Sequence, residues 1–270
     1  MYKPIFPFLF CCFAAIAAIA QTKAQTLKVM TYNIYHGEEG YNRGHSNIQR
    51  IADLINEYQP DFVALQEVDS MTNRTAAFNG GVPKDLMKEL AGLTGMHGYF
   101  AKAIDYSNGG YGEGILSRWP AAYRRDTLAI PRGGEGRALI SVNYTLPDGR
   151  ELIFAGTHLC HQFAENREAQ VQDILAIFED TDIPVIVGGD FNFSPESDAY
   201  QIITSNFYDA ARLFGEEKHT YPTVDPKTRI DYIFLSKNEK WKVVEVQVID
   251  TDPSDHLPVL VTLEILPRIM

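Results

Sequence analysis

Polar side chains that could do chemistry recur at the ends of apolar, strand-like runs of this sequence. Asp190 and Asn192 follow "DIPVIVGG" and lie two residues apart, so both could leave a strand end on the same side. The other members are Asn33 after "VMTY", Glu67 after "FVALQ", His158 after "IFAGT", Asp231 within "RIDYIF", and Asp255 and His256 before "LPVLV". A buried polar group costs roughly 1–3 kcal/mol when it is unpaired. We therefore expect these side chains to partner one another at one site.

The types of these residues indicate the chemistry. Carboxylates and amides without thiolates favour a hard cation such as Mg²⁺, which takes a few oxygen ligands and keeps water in its remaining positions. The seven histidines include no zinc-spaced pair such as H-E-x-x-H. Mg²⁺ beside imidazole, arginine and several carboxylates indicates phosphoryl transfer to water, in which catalysis depends on positioning and charge stabilisation.

The composition is that of a globular protein with an acidic surface. Of the 270 residues, 45% are hydrophobic and 22% are charged, which suits one large globular domain or two small ones. The 35 acidic and 24 basic residues give a net charge of −11. Non-specific binding to long nucleic acids depends on Lys and Arg contacts to phosphates, so this charge balance disfavours it. A local basic groove is still compatible with the composition.

The first twenty residues, "MYKPIFPFLFCCFAAIAAIA", have the pattern of a secretory signal peptide: one Lys, an apolar stretch and small residues at the end. We expect cleavage after Ala20, with Ala24 as the second choice, and export to the periplasm or the cell exterior. A membrane anchor is the weaker alternative, because the apolar run contains Pro7 and is shorter than the ~20 residues of a spanning helix. Cleavage leaves Cys160 as the sole cysteine, so no internal disulfide is expected.

The remaining chain predicts one catalytic domain, residues 25–270, because no linker, charge block or repeat interrupts it. Apolar spacing predicts helices in "SNIQRIADLINEY", capped by Ser46, in "PKDLMKELAGL" and in "FAENREAQVQDILAIFED". Asp148 and Gly149 separate two alternating runs and predict a hairpin. Hairpins mixed with strand-helix-strand units favour two packed sheets with helices outside them.

Eight motifs together resemble one family. "TYNI", "LQEVD", "YGEGILSR", "GRALI", "GTHL", "GGDFN", "RIDYIFLS" and "SDHLPV" stand in the order found in the endonuclease/exonuclease/phosphatase superfamily, from about Lys28 to Val259. The resemblance implies an α+β fold, the deoxyribonuclease I-like four-layer α/β/β/α sandwich of two mixed β-sheets. "GTHL" resembles the deoxyribonuclease and sphingomyelinase branches rather than AP endonucleases, which use a tyrosine in place of His158.

The resemblance also implies a metal site. Glu67 matches the principal Mg²⁺ ligand, with Asn33 beside it, and Asp255 matches a second carboxylate on the metal side. Mn²⁺ is the expected substitute for Mg²⁺.

Further roles follow from the same match. Asp190 would orient and deprotonate the attacking water, and Asn192 would donate to a phosphoryl oxygen. His256 would face the scissile phosphate, with Asp231 fixing its ring. His256 is also the alternative to Asp190 as the general base. His158 would donate to a phosphate oxygen.

The match also includes Arg137 and Glu113. Arg137 resembles an arginine that contacts phosphate, a task that suits its planar fork. Glu113 could orient His158, but related sequences often carry Asn at this position.

The expected function is that of an exported, Mg²⁺-dependent phosphoesterase, which hydrolyses a phosphodiester or phosphomonoester by in-line attack of water. A lipid headgroup, a sugar or inositol phosphate, and a nucleic acid compete as substrates. The alternatives are a secreted nuclease and a non-catalytic binding module on the same fold. We expect a monomer with no protein partner and no stable membrane span.

Overall fold

Strands dominate the part of the chain that the computed structural model describes, residues 24–266. The strands are β1 (Gln25–Asn33), β2 (Phe62–Ser70), β3 (His97–Tyr106), β4 (Gly109–Ser117), β5 (Ala122–Leu128), β6 (Arg137–Thr145), β7 (Glu151–His158), β8 (Val185–Asp190), β9 (Phe207–Asp209), β10 (Asp231–Ser236), β11 (Trp241–Val248) and β12 (Val259–Ile265). The α-helices are α1 (Ile48–Tyr58), α2 (Asn73–Ala77), α3 (Leu86–Thr94), α4 (Ala164–Ile177), α5 (Asp198–Ile203) and α6 (Ala210–Phe214).

The strands form two six-stranded sheets. The first has the order β11-β12-β1-β2-β4-β3, and the second has the order β5-β6-β7-β8-β10-β9. In each sheet one pair is parallel, β1 with β2 and β7 with β8, and the other pairs are antiparallel. Both sheets are therefore mixed, which confirms the prediction.

The main hydrophobic core lies between the sheets. Phe62 of β2 stacks on Phe154 of β7, with 5.2 Å between ring centroids. Closer to the ends of β7 and β8, Gly156 and Gly188 face Ala64, and a Cβ on either glycine would lie 3.1 or 3.3 Å from the Ala64 methyl carbon. Because these glycines have no side chain, the sheets approach closely near the residues predicted to form the site.

Helices cover the two outer faces. Ile51 and Ile55 of α1 and Leu90 of α3 pack on the first sheet. Val171 of α4 and Ile203 of α5 pack on the second. The layers therefore run helix, sheet, sheet, helix, and the predicted four-layer sandwich is confirmed.

The start of α1 differs from the prediction. The helix begins at Ile48, so Asn47 rather than Ser46 occupies the capping position. The side chain of Asn47 makes no cap bond; its Nδ2 instead donates to the carbonyl oxygens of Ile34, Glu38 and Pro253. Asn47 thus ties together two loops that border the predicted site. The hairpin at Asp148 and Gly149 is present between β6 and β7.

The predicted signal peptide, residues 1–20, lies outside the described residues. Between residues 24 and 266, no helix combines the length and the apolar composition that crossing a bilayer requires.

Candidate active site

A row of polar side chains crosses the end of the second sheet. His158 and Asp190 are the last residues of β7 and β8 and are paired in the parallel register. Asp231, the first residue of β10, is paired with Asp190 on its other side. Residues paired directly across neighbouring strands point to the same face of a sheet. The register of three strands therefore brings two carboxylates and one imidazole together.

Glu67 reaches the site from an irregular point in the first sheet. The register between β2 and β4 shifts between Leu65 and Val68, and Glu67 has a left-handed φ of 57°. A bulge of this kind re-aims a side chain, and left-handed backbone at a non-glycine residue costs of order 1–3 kcal/mol. Glu67 thus lies within β2, which continues to Ser70, and not at its end.

Asn33 joins the two sheets. It is the last residue of β1, and its Nδ2 donates both to Glu67 Oε1, at 3.2 Å, and to Asp190 Oδ2, at 3.1 Å. Its Oδ1 accepts from the backbone N–H of Tyr35 at 3.1 Å. The amide thus holds two carboxylates that would otherwise repel each other.

His256 forms a dyad with Asp231. The ring Nδ1 lies 3.0 and 3.2 Å from the two carboxylate oxygens of Asp231, and Nε2 lies 3.7 Å from Asp190 Oδ2. Burial alone would lower the pKa of His256, but the charges of Asp231 and Asp190 outweigh it and raise this pKa to about 10. The ring is therefore an imidazolium at neutral pH.

His158 differs from His256 in charge. Its Nε2 lies 3.5 Å from Asp190 Oδ2, and its Nδ1 lies 3.4 Å from Arg137 Nη1. Burial and the charge of Arg137 hold the pKa of His158 well below its usual value, so this ring is neutral. Burial and the nearby charge of Asp231 raise the pKa of Asp190, against the opposing charge of His256. A carboxylate with a raised pKa, between a neutral and a charged imidazole, suits a general base.

Asn192 is fixed beside Asp190. Its backbone N–H donates to Asp190 Oδ1 at 2.9 Å, and its Nδ2 donates to the Leu159 carbonyl at 3.1 Å. This is an Asx turn, in which Asn192 takes a φ of 51°. The turn and a place in the site are compatible, because Asn192 also lines the cavity described below.

Arg137 is almost completely buried behind His158, with a relative exposure of 1%. Its guanidinium also lies 3.2 Å from His161 Nδ1 and 2.7 Å from Glu135 Oε1. Glu113 is buried near this guanidinium, and neither of its carboxyl oxygens has a hydrogen-bond partner among the described residues. The residue in contact with His158 Nδ1 is thus Arg137, and Glu113 makes no hydrogen bond to that ring.

These side chains surround one open cavity of about 320 Å³. It is lined by Glu67, Tyr111, Glu135, Arg137, His158, His161, Asp190, Asn192, Tyr221, Ile230, Asp255 and His256. Tyr111 and Ile230 stand within "YGEGILSR" and "RIDYIFLS" but were not predicted as site residues, and Glu135 lies outside the eight motifs. Glu135 stands two residues before Arg137 in "GEGRALI", and this spacing was the one available signal. The Tyr221 ring lies 4.7 Å from the His256 ring and so flanks the dyad at the mouth.

The oxygen donors of the cavity fit a hard divalent cation. Glu67 and Asp255 both line it, and contacts with His36 outweigh burial and lower the pKa of Glu67 to about 2, so this carboxylate is charged. Such a donor set is typical of Mg²⁺ or Mn²⁺. The amide nitrogen of Asn33 faces the carboxylates of Glu67 and Asp190. Its amide oxygen would reach an ion held by these carboxylates only after a flip of the side-chain amide.

A second group of potential ligand atoms comes from Asp190, Asp231 and His256, whose ligand atoms all lie within 4.8 Å of one another. Since His256 Nδ1 is already paired with Asp231, this group is better explained as a proton-transfer network than as the main cation site.

The fold and the grouped carboxylates, imidazoles and guanidinium are those of a class of enzymes that hydrolyse phosphate esters. The model of the Endonuclease/Exonuclease/phosphatase family matches residues 30–256, and the chain belongs to this family. Membership confirms both the predicted family and the predicted hydrolase acting on phosphoric ester bonds, in a family that depends on divalent metals. No curated protein is significantly similar to the chain in sequence.

Several solved structures share the fold. An endonuclease/exonuclease/phosphatase from Beutenbergia cavernae is 22% identical, with a TM-score of 0.69 over 89% of this chain and 72% of that one. A mannosyl-6-phosphatase from Bacteroides thetaiotaomicron is 20% identical, with a TM-score of 0.68 over 88% of this chain and 99% of its own. The catalytic domain of human Nocturnin with bound sulfate is 23% identical, with a TM-score of 0.69 over 90% and 97%.

Proposed function

We propose that the protein is an exported, Mg²⁺-dependent phosphoesterase that hydrolyses the phosphate ester of a small polar molecule, such as a sugar or inositol phosphate, by in-line attack of water. One observation carries this proposal. Asp190 Oδ2 lies 3.5 Å from His158 Nε2 and 3.7 Å from His256 Nε2, at a cavity of about 320 Å³.

The reaction assigns a role to each of these groups. Asp190 takes a proton from water as the water oxygen attacks phosphorus, and the leaving oxygen departs with the bonding electron pair and takes up a proton from solvent. The His256 imidazolium stabilises the negative charge that develops on the phosphoryl group, and Asp231 keeps its ring in place. Neutral His158 and the side chain of Asn192 donate to phosphoryl oxygens. Arg137 supplies positive charge behind His158.

The same proposal places the cation on the first sheet. Glu67 and Asp255 would hold Mg²⁺, with Asn33 orienting the carboxylates, and Mn²⁺ would substitute. When bound, the ion supplies positive charge that polarises a phosphoryl oxygen.

The cavity favours a small substrate over a polymer. Arg137 is the only Arg or Lys among its lining residues, which include the four carboxylates of Glu67, Glu135, Asp190 and Asp255. A long polyanion gains most of its affinity from several Lys and Arg contacts to phosphates. The fold shared with a mannosyl-6-phosphatase supports a sugar phosphate as the first candidate.

A phosphate-release screen tests this function. The purified protein is incubated with sugar phosphates, inositol phosphates, sphingomyelin and DNA, each with Mg²⁺ and with a chelator, and Asp190→Asn serves as the inactive control. We expect metal-dependent hydrolysis that is fastest on a small phosphate. Fastest cleavage of DNA would instead support the secreted nuclease. A protein that hydrolyses nothing with either Mg²⁺ or Mn²⁺ would support the non-catalytic binding module.

Export has its own test. N-terminal sequencing of the protein from fractionated cells should find a chain that begins at Gln21 outside the cytoplasm. A chain that keeps Met1 and stays in the cytoplasm would contradict export without affecting the catalytic proposal.

A further inference from the structure

His36 lies between two carboxylates on the first-sheet side of the cavity. Its ring Nδ1 is 3.4 Å from Glu67 Oε2, its Nε2 is 3.2 Å from Glu38 Oε2, and the residue is 8% exposed. We infer that His36 is a positioning residue, which acts through Glu67 and fixes the direction in which this carboxylate faces the cation. The inference rests on the proposed function, because that function assigns Glu67 to the ion.

The first argument is that Glu67 is held from both sides. Its Oε1 accepts from Asn33 Nδ2 at 3.2 Å, and its Oε2 faces His36. A carboxylate with one partner can still rotate about its last bond, whereas a carboxylate with a partner on each oxygen cannot. The lone pairs that remain free therefore keep one direction. Groups that orient a metal ligand in this way tune how tightly the ion binds.

The second argument is the shape of the backbone that carries His36. Tyr35 and His36 both have a φ of 47°, and Gly37 has a φ of 83°. Left-handed backbone is uncommon for residues other than glycine, and it persists where the surrounding structure imposes it. At Gly37 a Cβ would lie 2.7 Å from Leu86 Cδ1, so the turn is also packed tightly against α3. This turn directs the His36 ring toward Glu67.

The third argument is that the far side of the ring is anchored as well. Glu38 Oε1 accepts from the backbone N–H of Gly44 at 2.7 Å, which leaves Oε2 facing His36. Asn47 Nδ2 donates to the Glu38 carbonyl and to the Pro253 carbonyl, two residues before Asp255. The Glu38–His36–Glu67 chain is thus tied to the segment that carries the other carboxylate assigned to the ion.

A measurement of metal affinity distinguishes this positioning role of His36 from a purely structural role. Mn²⁺ is titrated into the purified protein, and free Mn²⁺ is followed by electron paramagnetic resonance. For His36→Gln we expect a rise of about 10- to 100-fold in the Kd for Mn²⁺, the usual effect of losing a group that orients a ligand. Glu38→Gln should raise the Kd by less than His36→Gln does, because the histidine remains.

His45→Gln is the matched control. His45 lies in the same loop and is exposed, and its side chain makes one hydrogen bond among the described residues, to the Asn42 carbonyl, so its substitution should leave the Kd unchanged. A folded His36→Gln variant with the wild-type Kd would overturn the inference. If that variant does not fold, the Glu38→Gln variant provides the test. An unchanged Kd of Glu38→Gln for Mn²⁺ would then overturn the inference. Glu67→Gln separates the two proposals: if it binds Mn²⁺ as tightly as wild type, the proposed cation site itself is wrong.

Discussion

The side-chain amide of Asn33 donates to the carboxylate of Asp190 at 3.1 Å, and this contact joins the two sheets at their shared edge. Asn33 and Glu67 belong to the first sheet, whereas His158 and Asp190 belong to the second. The site is therefore assembled across the boundary between the sheets.

Replacing Asn33 with Ala should lower kcat/KM by about 10- to 100-fold, because Glu67 and Asp190 lose the amide that holds them together. Steady-state kinetics at several Mg²⁺ concentrations would measure the loss. Asn42→Ala, on an exposed loop, is the control. Wild-type kinetics in Asn33→Ala would show that the amide is not needed at the site.

Asp231→Asn should slow kcat by about 10²- to 10⁴-fold, the usual contribution of a group in proton transfer. It should also move the basic limb of the pH–rate profile to lower pH. The Asp231 charge helps to raise the pKa of His256 to about 10, so without it the imidazolium loses its proton at lower pH. The measurement is kcat/KM from pH 5 to 10.5, with the exposed Asp225→Asn as the control. If the pH–rate profiles of Asp231→Asn and wild type coincide, Asp231 does not act with His256 in the reaction.

Arg137→Lys keeps a positive charge but loses the fork that contacts both His158 and His161. We expect KM for the phosphate substrate to rise by about tenfold or more, the effect of ~1.4 kcal/mol. Inhibition by inorganic phosphate should weaken to a similar degree. Arg124→Lys, at an exposed arginine on β5, is the control. An unchanged KM would place Arg137 outside phosphate recognition.

Glu113→Gln tests the buried carboxyl group. Burial, opposed by Arg137, raises the pKa of Glu113 from 4.5 to about 8. The folded state thus binds more protons than the unfolded state between pH 4.5 and 8, and this group makes the free energy of unfolding fall as pH rises through that window. Gln does not titrate, so the free energy of unfolding should fall less in the variant than in wild type between pH 5 and pH 8.5. The two falls should differ by more than about 1 kcal/mol.

Guanidinium denaturation at the two pH values measures this difference, and Glu57→Gln on the exposed face of α1 is the control. Parallel losses in Glu113→Gln and wild type would mean that Glu113 is charged in the folded protein at neutral pH.

The sequence was sufficient to predict the sandwich and the residues that gather at its edge. Asp190 and His158 could be placed because each follows an apolar run, whereas Asp231, predicted within its run, is the first residue of β10. The start of α1 was wrong by one residue, because Asn47 binds three distant carbonyl groups instead of leaving the cap to Ser46. Long-range contacts of this kind leave no periodic pattern in a sequence.

Other features of the site needed the structure for the same reason. The bulge at Glu67 depends on how β2 pairs with β4. The contact of His36 with the Glu67 carboxylate depends on a left-handed turn at His36. Glu135 and Tyr111 line the cavity although neither belongs to the strand-end pattern. Apart from the closeness of Glu135 to Arg137 in the sequence, no rule of spacing relates these two residues to Arg137 or His256.

Assembly across two sheets has a consequence for when the enzyme can act. His256 precedes β12 of the first sheet, and its partners Asp190 and Asp231 belong to β8 and β10 of the second. Either half alone would hold an incomplete set of reacting groups. The site therefore exists only while the two sheets are packed on each other, and a change that separates them should abolish hydrolysis even where each sheet keeps its strands.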